Sequence, residues 1–577
     1  MMQFYLHTNQ PMMTITRSCS ILFLFFFISC KSDNHLSHRP NIVWLVAEDL
    51  GPYIPPFGDS TIETPNLSRL ANEGVRYNNV YSVSGVCSPS RAAIVTGMYP
   101  SSIGAHHMRT LYQQPQAKLK GIINYEVVPP PEVKMVSQIL RENNYYCTNN
   151  FKEDVQFHPS KLAWDESSVY AHWRNRPKDK PFFSVFNFGV THESNLWNPF
   201  HRTYDLDEFP PPRSNKEWWK QFEGLEKPLY VDTELDVNIP PYLPNTKIVK
   251  NDIRRMYSNI IEMDKHVGLI LNQLEKDDLL DNTIIVWYTD HGGPLPREKR
   301  LLYDSGLHVP MIIRYPNQDN RGEKNNQLIS FIDFAPTLLS MLNIPIPDFM
   351  QGRAFAGYYE DKKQRKYIHA SADRFDEYYD MIRAVRDENF KYLKNFQPDK
   401  GYYLPLKYRE KMDSMQELLL LNSQGQLNSD QKQWFRQSKP EEELFNISED
   451  PFELNNLAQN KKYKNKLIEM RRECENWMIN IDDKGFIPEE ELIKQFWPEK
   501  IQPITADPII IKDGDFFSIS CVTKGAVIGY KYKKQDMMAW LGWRPYKSPI
   551  ELNEADEIDI IAHRIGFLPS NIINYKK

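Results

Sequence analysis

The chain has 577 residues, a net charge of −5 and a pI near 6.3. This length suits one large domain with smaller ones, and this charge argues against the strongly basic surface that nucleic-acid binding favours, so we expect no nucleic-acid partner. Six scattered cysteines form no recognisable disulfide framework or zinc cluster.

The first segment has the pattern of an export signal. The apolar run 21–28 is followed by Ser29 and Cys30. The run is too short to span a bilayer and fits the core of a signal peptide. We expect residues 1–30 to be a lipoprotein signal peptide that leaves Cys30 lipidated, and residues 31–39 to be a polar tether. A plain secretory signal with an incidental cysteine is the alternative.

A lipid at this position would fix the location of the protein. It would hold the exported chain in the periplasm or on the outer membrane of a Gram-negative bacterium. We expect this anchor to be the only membrane attachment, because no later segment is apolar enough to span a bilayer.

Apolar runs alternate with helical patterns from residue 40 onward. Continuous apolar runs, typical of strands buried on both faces, occupy residues 41–47, 182–188, 283–289 and 309–314. Periodicity and helix-end signals predict helices over 65–74, 134–143 and 249–277. This alternation predicts an α/β domain with a mostly parallel central sheet over residues 40–365.

The pattern changes after about residue 365. Short strand-like runs near 366–393 and a helix near 462–480 indicate a separate region over 366–500. Alternating runs and turn signals over 507–577 predict a small β-sandwich at the C-terminus.

Cys87 heads the pentapeptide Cys-Ser-Pro-Ser-Arg, which ends at Arg91 and opens a predicted helix. A C-x-P-x-R run is the recognition sequence for conversion of its cysteine to formylglycine (3-oxoalanine). The hydrate of this aldehyde is a nucleophile that no ordinary side chain supplies. A helix N-terminus also favours anionic oxygens. The alternative is a buried structural cysteine beside a proline turn.

The pentapeptide and the following Thr96–Pro100 run resemble the formylglycine-dependent type I sulfatase family, and the likeness extends over about residues 40–485. The resemblance implies an alkaline-phosphatase-like fold, with a smaller antiparallel α+β subdomain over residues 366–500, and a bacterial polysaccharide sulfatase. The implied reaction is hydrolysis of a sulfate ester, or of an N-sulfate, to an alcohol or amine plus sulfate. A formylglycine-generating maturation enzyme is an implied partner.

Acidic and imidazole groups follow two of the predicted strands. By the resemblance, the metal ligands are Glu48, Asp49, the modified Cys87, Asp290 and His291. Hard cations take oxygen-rich shells, so Ca²⁺ is expected and Mg²⁺ is a second possibility. Glu48 stands where the family has aspartate, so its direct contact with the metal stays open.

A sulfate ester is anionic, so its cleavage needs cations, a strong nucleophile and a proton for the leaving alcohol. By the resemblance, Arg91 holds the hydrate, Lys299 binds sulfate, and His192 binds sulfate and can protonate the leaving group. Lys152 matches the lysine of a K-x-H motif in which Asp154 replaces the histidine. A surface residue without catalytic role is the alternative for each of these lysines and for His192.

Further basic groups follow the nucleophile helix. His106, His107, Arg109 and His308 are candidates for contact with a uronate or a second sulfate. The alternative is a packed loop with satisfied histidines.

The expected substrate is a sulfated polysaccharide or its oligosaccharides. The Glu48-Asp49 and His106–Arg109 variants resemble sulfatases of bacterial glycan degraders, among them some acting on ulvan. Fucoidan, carrageenan and glycosaminoglycans stay open. The alternative functions are a formylglycine-dependent phosphonate or phosphodiester hydrolase and a non-catalytic protein that binds sulfated glycans.

Overall fold

The computed structural model describes residues 39–108, 123–198, 228–533, 542–552 and 557–576. Several predictions fall outside the described residues and remain predictions. They concern the signal peptide, the lipidation of Cys30, residues 31–38 of the tether and the substrate contact of Arg109. Within the described ranges, none of the helices has the length and apolar character that crossing a bilayer requires.

A nine-stranded sheet forms the centre of the described chain. Its strands are β1 Asn41–Ala47, β2 Val75–Tyr81, β3 Tyr146–Asn150, β4 Glu166–Ser167, β5 Phe182–Phe188, β6 Thr283–Thr289, β7 His308–Arg314, β8 Lys324–Asn325 and β9 Ile329–Ser330. Their order is β4-β3-β5-β1-β6-β7-β2-β8, and β9 also pairs with β2. Only β7, which is antiparallel to β6 and β2, departs from parallel pairing. The predicted mostly parallel sheet is confirmed.

Helices cover both faces of this sheet. The described α-helices are α1 Pro65–Glu73, α2 Cys87–Thr96, α3 Pro100–Ile103, α4 Val136–Glu142, α5 Lys247–Lys276, α6 Asp304–Leu307, α7 Phe334–Met341, α8 Asp413–Ser423, α9 Ser429–Lys432, α10 Lys464–Asn480 and α11 Glu489–Phe496. Helices α1 and α5 share one apolar cluster with Val43 and Leu45 of β1. Helices α2, α4 and α7 share the cluster on the opposite face with Trp44. Successive residues of β1 therefore point into two cores, which explains its uninterrupted apolar sequence.

An antiparallel four-stranded sheet follows, as predicted. Its strands are β10 Ile368–Ala372, β11 Ile382–Arg386, β12 Phe390–Asn395 and β13 Glu442–Asn446, in that spatial order. Met470 and Cys474 of α10 pack against Val385 and Tyr392 of this sheet.

Two small antiparallel sheets end the chain. Their strands are β14 Ile509–Asp513, β15 Phe516–Ser520, β16 Val527–Tyr532, β17 Arg544–Pro545, β18 Ile550–Glu551, β19 Glu557–His563 and β20 Ile573–Lys576. One sheet has the order β14-β15-β18 and the other β17-β16-β19-β20. Both contribute to a single apolar cluster, with Phe517 from the first and Ile560 from the second. This packing has the form of the predicted β-sandwich, whereas the predicted domain boundaries remain predictions.

The three central parallel strands end at the same edge of the large sheet. In the register of the sheet, Ala47 of β1 lies beside Phe188 of β5 and Thr289 of β6. The residues that follow these strands are therefore brought together. Ligands of open α/β sheets bind at this edge.

Candidate active site

Asp49 and Asp290 lie side by side at this edge, and both are fully buried. The backbone N–H of Asp49 donates to Oδ1 of Asp290 over 3.1 Å. Asp49 has a left-handed backbone with φ of 48°. Such a conformation is uncommon for a residue other than glycine and often marks a functional site.

Cys87 is the first residue of α2 and is buried against these groups. Its Sγ lies 3.4 Å from Nε2 of His291 and 3.9 Å from Oδ1 of Asp49. Burial by itself raises the pKa of the Cys87 thiol, but the charges of Lys152 and Lys299 outweigh it and lower the pKa. Position 87 is therefore surrounded by groups that stabilise a negative charge.

Asp49, Cys87, Asp290 and His291 form a possible metal site, with one ligand atom from each lying within 4.8 Å of the others. Burial by itself lowers the pKa of His291, but Asp290 and Asp49 outweigh it and raise the pKa to about 10. The negative charge of two carboxylates, together with a nitrogen ligand from an imidazole, fits a divalent cation.

Glu48 lies beside this group rather than within it. Its Oε2 accepts from Nζ of Lys152 over 2.9 Å, and its Oε1 lies 3.4 Å from a guanidinium nitrogen of Arg91. A second set of potential ligands joins Glu48 to Asp49 and His192. The longer glutamate side chain is thus held by two cations, and its direct metal contact remains a prediction.

Arg91 lies one helical turn after Cys87, so both side chains reach the same side of α2. Its Nε donates to Oδ2 of Asp290 over 3.1 Å, and a terminal nitrogen donates to Oδ1 of Asn187 over 2.6 Å. Asn187 belongs to β5 and itself donates to the backbone of Asn150 over 2.9 Å. Asp290, Asn187 and Glu48 therefore fix the guanidinium on three sides. Sequence reasoning missed Asn187 because it lies inside an apolar strand.

Lys299 reaches the centre from the loop after β6. Its Nζ donates to Oδ2 of Asp49 over 2.6 Å and lies 3.2 Å from Oε1 of Glu193. Burial by itself lowers the pKa of Lys299, but Asp49 and the group at Cys87 outweigh it, so the lysine stays charged. A fixed buried ammonium beside position 87 is suited to binding an anionic sulfate.

His192 follows β5 and lies next to Lys299. Its Nε2 is 3.2 Å from the lysine Nζ, and its Nδ1 is 2.8 Å from Oγ of Ser194. The backbone N–H of Ser194 also donates to Nδ1, over 3.3 Å, so Nδ1 is an acceptor and the Ser194 hydroxyl can donate to it as well. The other ring nitrogen, Nε2, is the one that faces Lys299 and the centre of the site.

Lys152 and Asp154 lie on the opposite side of position 87. Lys152 Nζ lies 3.6 Å from Oδ2 of Asp154, and the hydroxyl of Ser88 donates to Oδ1 of Asp154. Asp154 has a positive φ of 51°. Asp154, which replaces the histidine of the K-x-H motif, thus connects Lys152 to helix α2.

Glu193 and Arg300 form a buried pair behind Lys299 that sequence reasoning missed. The two guanidinium nitrogens of Arg300 donate to the two carboxylate oxygens of Glu193 over 3.0 and 2.8 Å. The backbone N–H of Glu193 donates to Oδ2 of Asp49 over 2.7 Å. Burial by itself raises the pKa of Glu193, but Arg300 and Lys299 outweigh it and lower the pKa to about 2. Adjacency to His192 and Lys299 was the only signal in the sequence.

An aromatic rim lies beside His192. Trp197 and Tyr408 meet edge to face with ring centroids 4.6 Å apart, and the ring of His192 is 6.4 Å from that of Tyr408. Nζ of Lys411 lies 4.5 Å from the Trp197 ring centroid. Aromatic and basic groups together suit an anionic sugar.

The structure places the other predicted substrate contacts in packed surroundings. His106 and His107 are buried with rings 4.2 Å apart, and Nδ1 of His107 accepts from the backbone of Arg374 over 3.3 Å. His308 stacks on Tyr81, and its Nε2 lies 2.7 Å from the carbonyl oxygen of Asn78. Both ring nitrogens of His106 and Nε2 of His107 are buried without a hydrogen-bond partner among the described residues, and substrate binding by the three histidines stays a prediction.

The sulfatase family profile matches residues 40–157 and 135–344, and a profile for the C-terminal region of N-sulphoglucosamine sulphohydrolase matches residues 297–424. The first profile spans more than half of the chain. The chain therefore belongs to the sulfatase family and is a sulfuric ester hydrolase. The resemblance stated from the Cys87 pentapeptide is confirmed.

Individual relatives agree with this assignment. An ulvan-active sulfatase of Formosa agariphila is 51% identical over 96% of both chains. Human N-sulphoglucosamine sulphohydrolase is 24% identical over 81% of this chain and 95% of its own. A solved structure in complex with its substrate D-glucosamine-2-N,6-O-disulfate has a TM-score of 0.53 at 18% identity, covering 78% of this chain and all of its own. That likeness shows the sulfatase fold.

Proposed function

We propose that this sulfatase removes sulfate from ulvan or its oligosaccharides with a formylglycine at position 87 and a bound Ca²⁺ ion. The observation that carries the proposal is a Cys87 Sγ placed 3.4 Å from His291 and 3.9 Å from Asp49 within a C-x-P-x-R helix start. The ulvan-active relative, which aligns over 96% of both chains, supports the substrate.

The nucleophile is one hydroxyl of the formylglycine hydrate. It would give its proton to Asp49, whose Oδ1 lies 3.9 Å from the Cys87 sulfur, and its oxygen would attack sulfur as the S–O bond to the leaving alcohol breaks. His192, with Lys299 beside it at 3.2 Å, supplies the proton to that alcohol. The cations Lys152 and Lys299 stabilise the charge that gathers on the sulfate oxygens.

The second hydroxyl of the hydrate completes the cycle. When it loses its proton, the aldehyde C=O re-forms, the C–O bond to sulfate breaks, and sulfate leaves with that electron pair. Water then restores the hydrate. A serine ester lacks the second hydroxyl and would release sulfate poorly, which explains why the site needs a modified cysteine.

The metal would be held by Asp49, Asp290, His291 and the formylglycine. It would supply positive charge against the sulfate and the hydrate oxygens. Carboxylate-rich shells favour Ca²⁺ over softer ions, and Mg²⁺ is the second candidate.

The proposal includes a maturation enzyme and an exported location. Formylglycine requires an enzyme that oxidises Cys87 before or during export. The signal-like segment and Cys30 would then anchor the protein in the periplasm or on the outer membrane, where a polymeric substrate is accessible.

Sulfate release from a panel of polymers tests the proposal. The protein would be produced with a formylglycine-generating enzyme and incubated with ulvan, fucoidan, carrageenan and heparan sulfate, with Cys87→Ala as the control. We expect release from ulvan that the control lacks. Release from another polymer alone would contradict the ulvan assignment, and hydrolysis restricted to phosphonate or phosphate esters would contradict the reaction.

A further inference from the structure

A groove lies between the central sheet and the C-terminal β-sandwich. It encloses about 650 Å³. Ligand sites commonly occupy roughly 300–1,000 Å³ and often form where two domains meet. One wall comes from the start of β3 and the loop before β5, and the other comes from β16, β17 and the chain that leads to β18.

Both walls of the groove are firmly joined. Arg141 donates to the carbonyl oxygen of Trp543 over 2.5 Å, and the backbone N–H of Lys161 donates to Nδ1 of His563 over 2.8 Å. A Cβ on Gly542 would lie 2.9 Å from the backbone of Asp165, so the two backbones meet closely there. A ligand in the groove would therefore meet a pre-formed surface.

The groove is basic, although the whole chain carries a net charge of −5. Its lining includes four basic and two acidic side chains: Arg141, Lys180, Arg544, Lys547, Asp165 and Glu551. Arg141 holds Asp165 through two bonds of 2.9 and 2.8 Å. Among the described lining residues, the three other basic side chains thus outnumber the one remaining acidic side chain, Glu551.

Lys180 is the most informative of these cations. It is half-buried, and within the described part of the chain no carboxylate forms an ion pair with its ammonium. Burial lowers the pKa of Lys180, and Asp165 offsets this only in part. A half-buried ammonium without a counter-ion costs free energy, which an anionic ligand would recover.

Tyrosine rings complete the wall on the β-sandwich side. Tyr530 and Tyr532 line the groove with ring centroids 5.7 Å apart, and Arg544 lies 5.2 Å from the Tyr532 centroid. Rings beside cations provide apolar faces for sugars and charge for their acidic substituents.

The groove is separate from the catalytic centre. Strand β5 begins at Phe182, two residues after Lys180, and ends at Phe188, just before His192. Seven residues at about 3.3 Å each separate the two ends by roughly 20 Å. A sugar in the groove could not reach position 87, so the groove would hold a different stretch of the chain.

We propose that this groove is a second, non-catalytic site that binds an anionic polysaccharide through its sulfate or uronate groups. This inference rests on the proposed function for the identity of the polymer. It assigns to the C-terminal β-sandwich the role of holding polymeric substrate while the catalytic centre acts elsewhere on it.

Polymer binding in a Cys87→Ala background tests the groove without hydrolysis. Affinity for ulvan, desulfated ulvan and carboxyl-reduced ulvan would be measured for the full chain, with and without K180A/K547A. We expect the double variant to bind ulvan at least tenfold more weakly, because it loses two cations that would form charge-assisted hydrogen bonds with the anionic groups of the polymer. The modified polymer that binds less well identifies the recognised anion.

A matched control, K178A/K524A, removes two exposed lysines outside the groove, one from the loop that holds Lys180 and one from the C-terminal β-sandwich. We expect its ulvan affinity to stay within twofold of the parent. Equal weakening by both double variants, or none by K180A/K547A, would overturn the proposal. So would the absence of ulvan binding by the Cys87→Ala parent.

Activity assays separate this inference from the proposed function. In matured protein with Cys87 intact, K180A/K547A should hydrolyse an aryl sulfate with unchanged kcat/KM and raise KM for polymeric ulvan. A change in aryl sulfate hydrolysis would overturn the second-site assignment. If ulvan binds in a groove-dependent way but no sulfate is released, the proposed function is contradicted while the assignment of the groove as a second binding site is retained.

Discussion

Lys299 Nζ lies 2.6 Å from Oδ2 of Asp49, while the other oxygen of the same carboxylate faces Cys87 and His291. One side chain therefore contacts both the possible metal site and a cation suited to sulfate. This shared carboxylate couples the binding of the metal to the placement of the lysine.

Removal of the metal should abolish activity and destabilise the fold at the same time. A chelator should abolish sulfate release and lower Tm, because a ligand that binds only the folded state stabilises it. Added Ca²⁺ should restore both. Full activity and unchanged Tm after exhaustive chelation, verified by elemental analysis, would contradict a functional metal.

Metal binding should also release protons. In the metal-free protein the pKa of His291 is about 10, so below that pH the imidazole must lose its proton to become a ligand. Metal affinity should therefore rise with pH between 6 and 9. Calorimetry in buffers of different ionisation enthalpy measures the released protons, and His291→Asn should release about one fewer.

Glu193→Gln should impair catalysis without removing any proposed ligand. Lys299 would keep Asp49 but lose its second carboxylate, and Arg300 would lose its bidentate partner. Residues that orient a site typically contribute about 10–100-fold to activity, so kcat/KM should fall by that factor. Glu442→Gln, which breaks a bidentate pair with Arg471, is the matched control and should retain kcat/KM.

Glu193 should also make stability depend on pH. Its folded pKa is about 2 and an unfolded glutamate has a pKa of about 4.3, so its contribution is complete above 4.3 and declines as pH falls towards 2. The difference corresponds to on the order of 3 kcal/mol. The Tm difference between wild type and Glu193→Gln should therefore shrink below pH 4, and a gap that widens on acidification would contradict this assignment.

His192→Ala should discriminate between leaving groups. Sugar alcohols need a proton to leave, whereas activated phenols leave without one, so the loss should be larger for a sugar sulfate. General acids contribute about 10²–10⁴-fold, which sets the expected loss of kcat on the sugar substrate. Equal losses on sugar and nitrophenyl sulfates would assign His192 to sulfate binding alone.

Much of the fold could be predicted because strands buried on both faces have continuous apolar sequences. Strands β1, β5 and β6 are mostly apolar since both of their faces are covered, and their predicted bounds match the structure. Strands β2 and β3 were missed because their sequences, VRYNNVY and YCTNN, carry many polar residues. The reversed direction of β7 was not predictable, since strand composition does not record orientation.

Site residues could be predicted where they belong to a sequence motif. They could not be predicted where only tertiary contacts bring them to the site. The pentapeptide at Cys87 and the acidic groups after β1 and β6 indicated the centre. Arg300 and Glu193 are 107 positions apart, and only the fold brings them together. The contact of His308 with Tyr81 is also purely tertiary, and nothing in the sequence indicated it.

The most direct measurement relates activity to the chemical state of position 87. Protein would be prepared with graded amounts of maturation enzyme, and mass spectrometry of the peptide containing residue 87 would give the aldehyde fraction in each preparation. We predict that sulfate release rises in proportion to this fraction and vanishes when the thiol is intact. Sulfate release that is independent of the fraction, or that persists with Cys87 unmodified, would contradict the account.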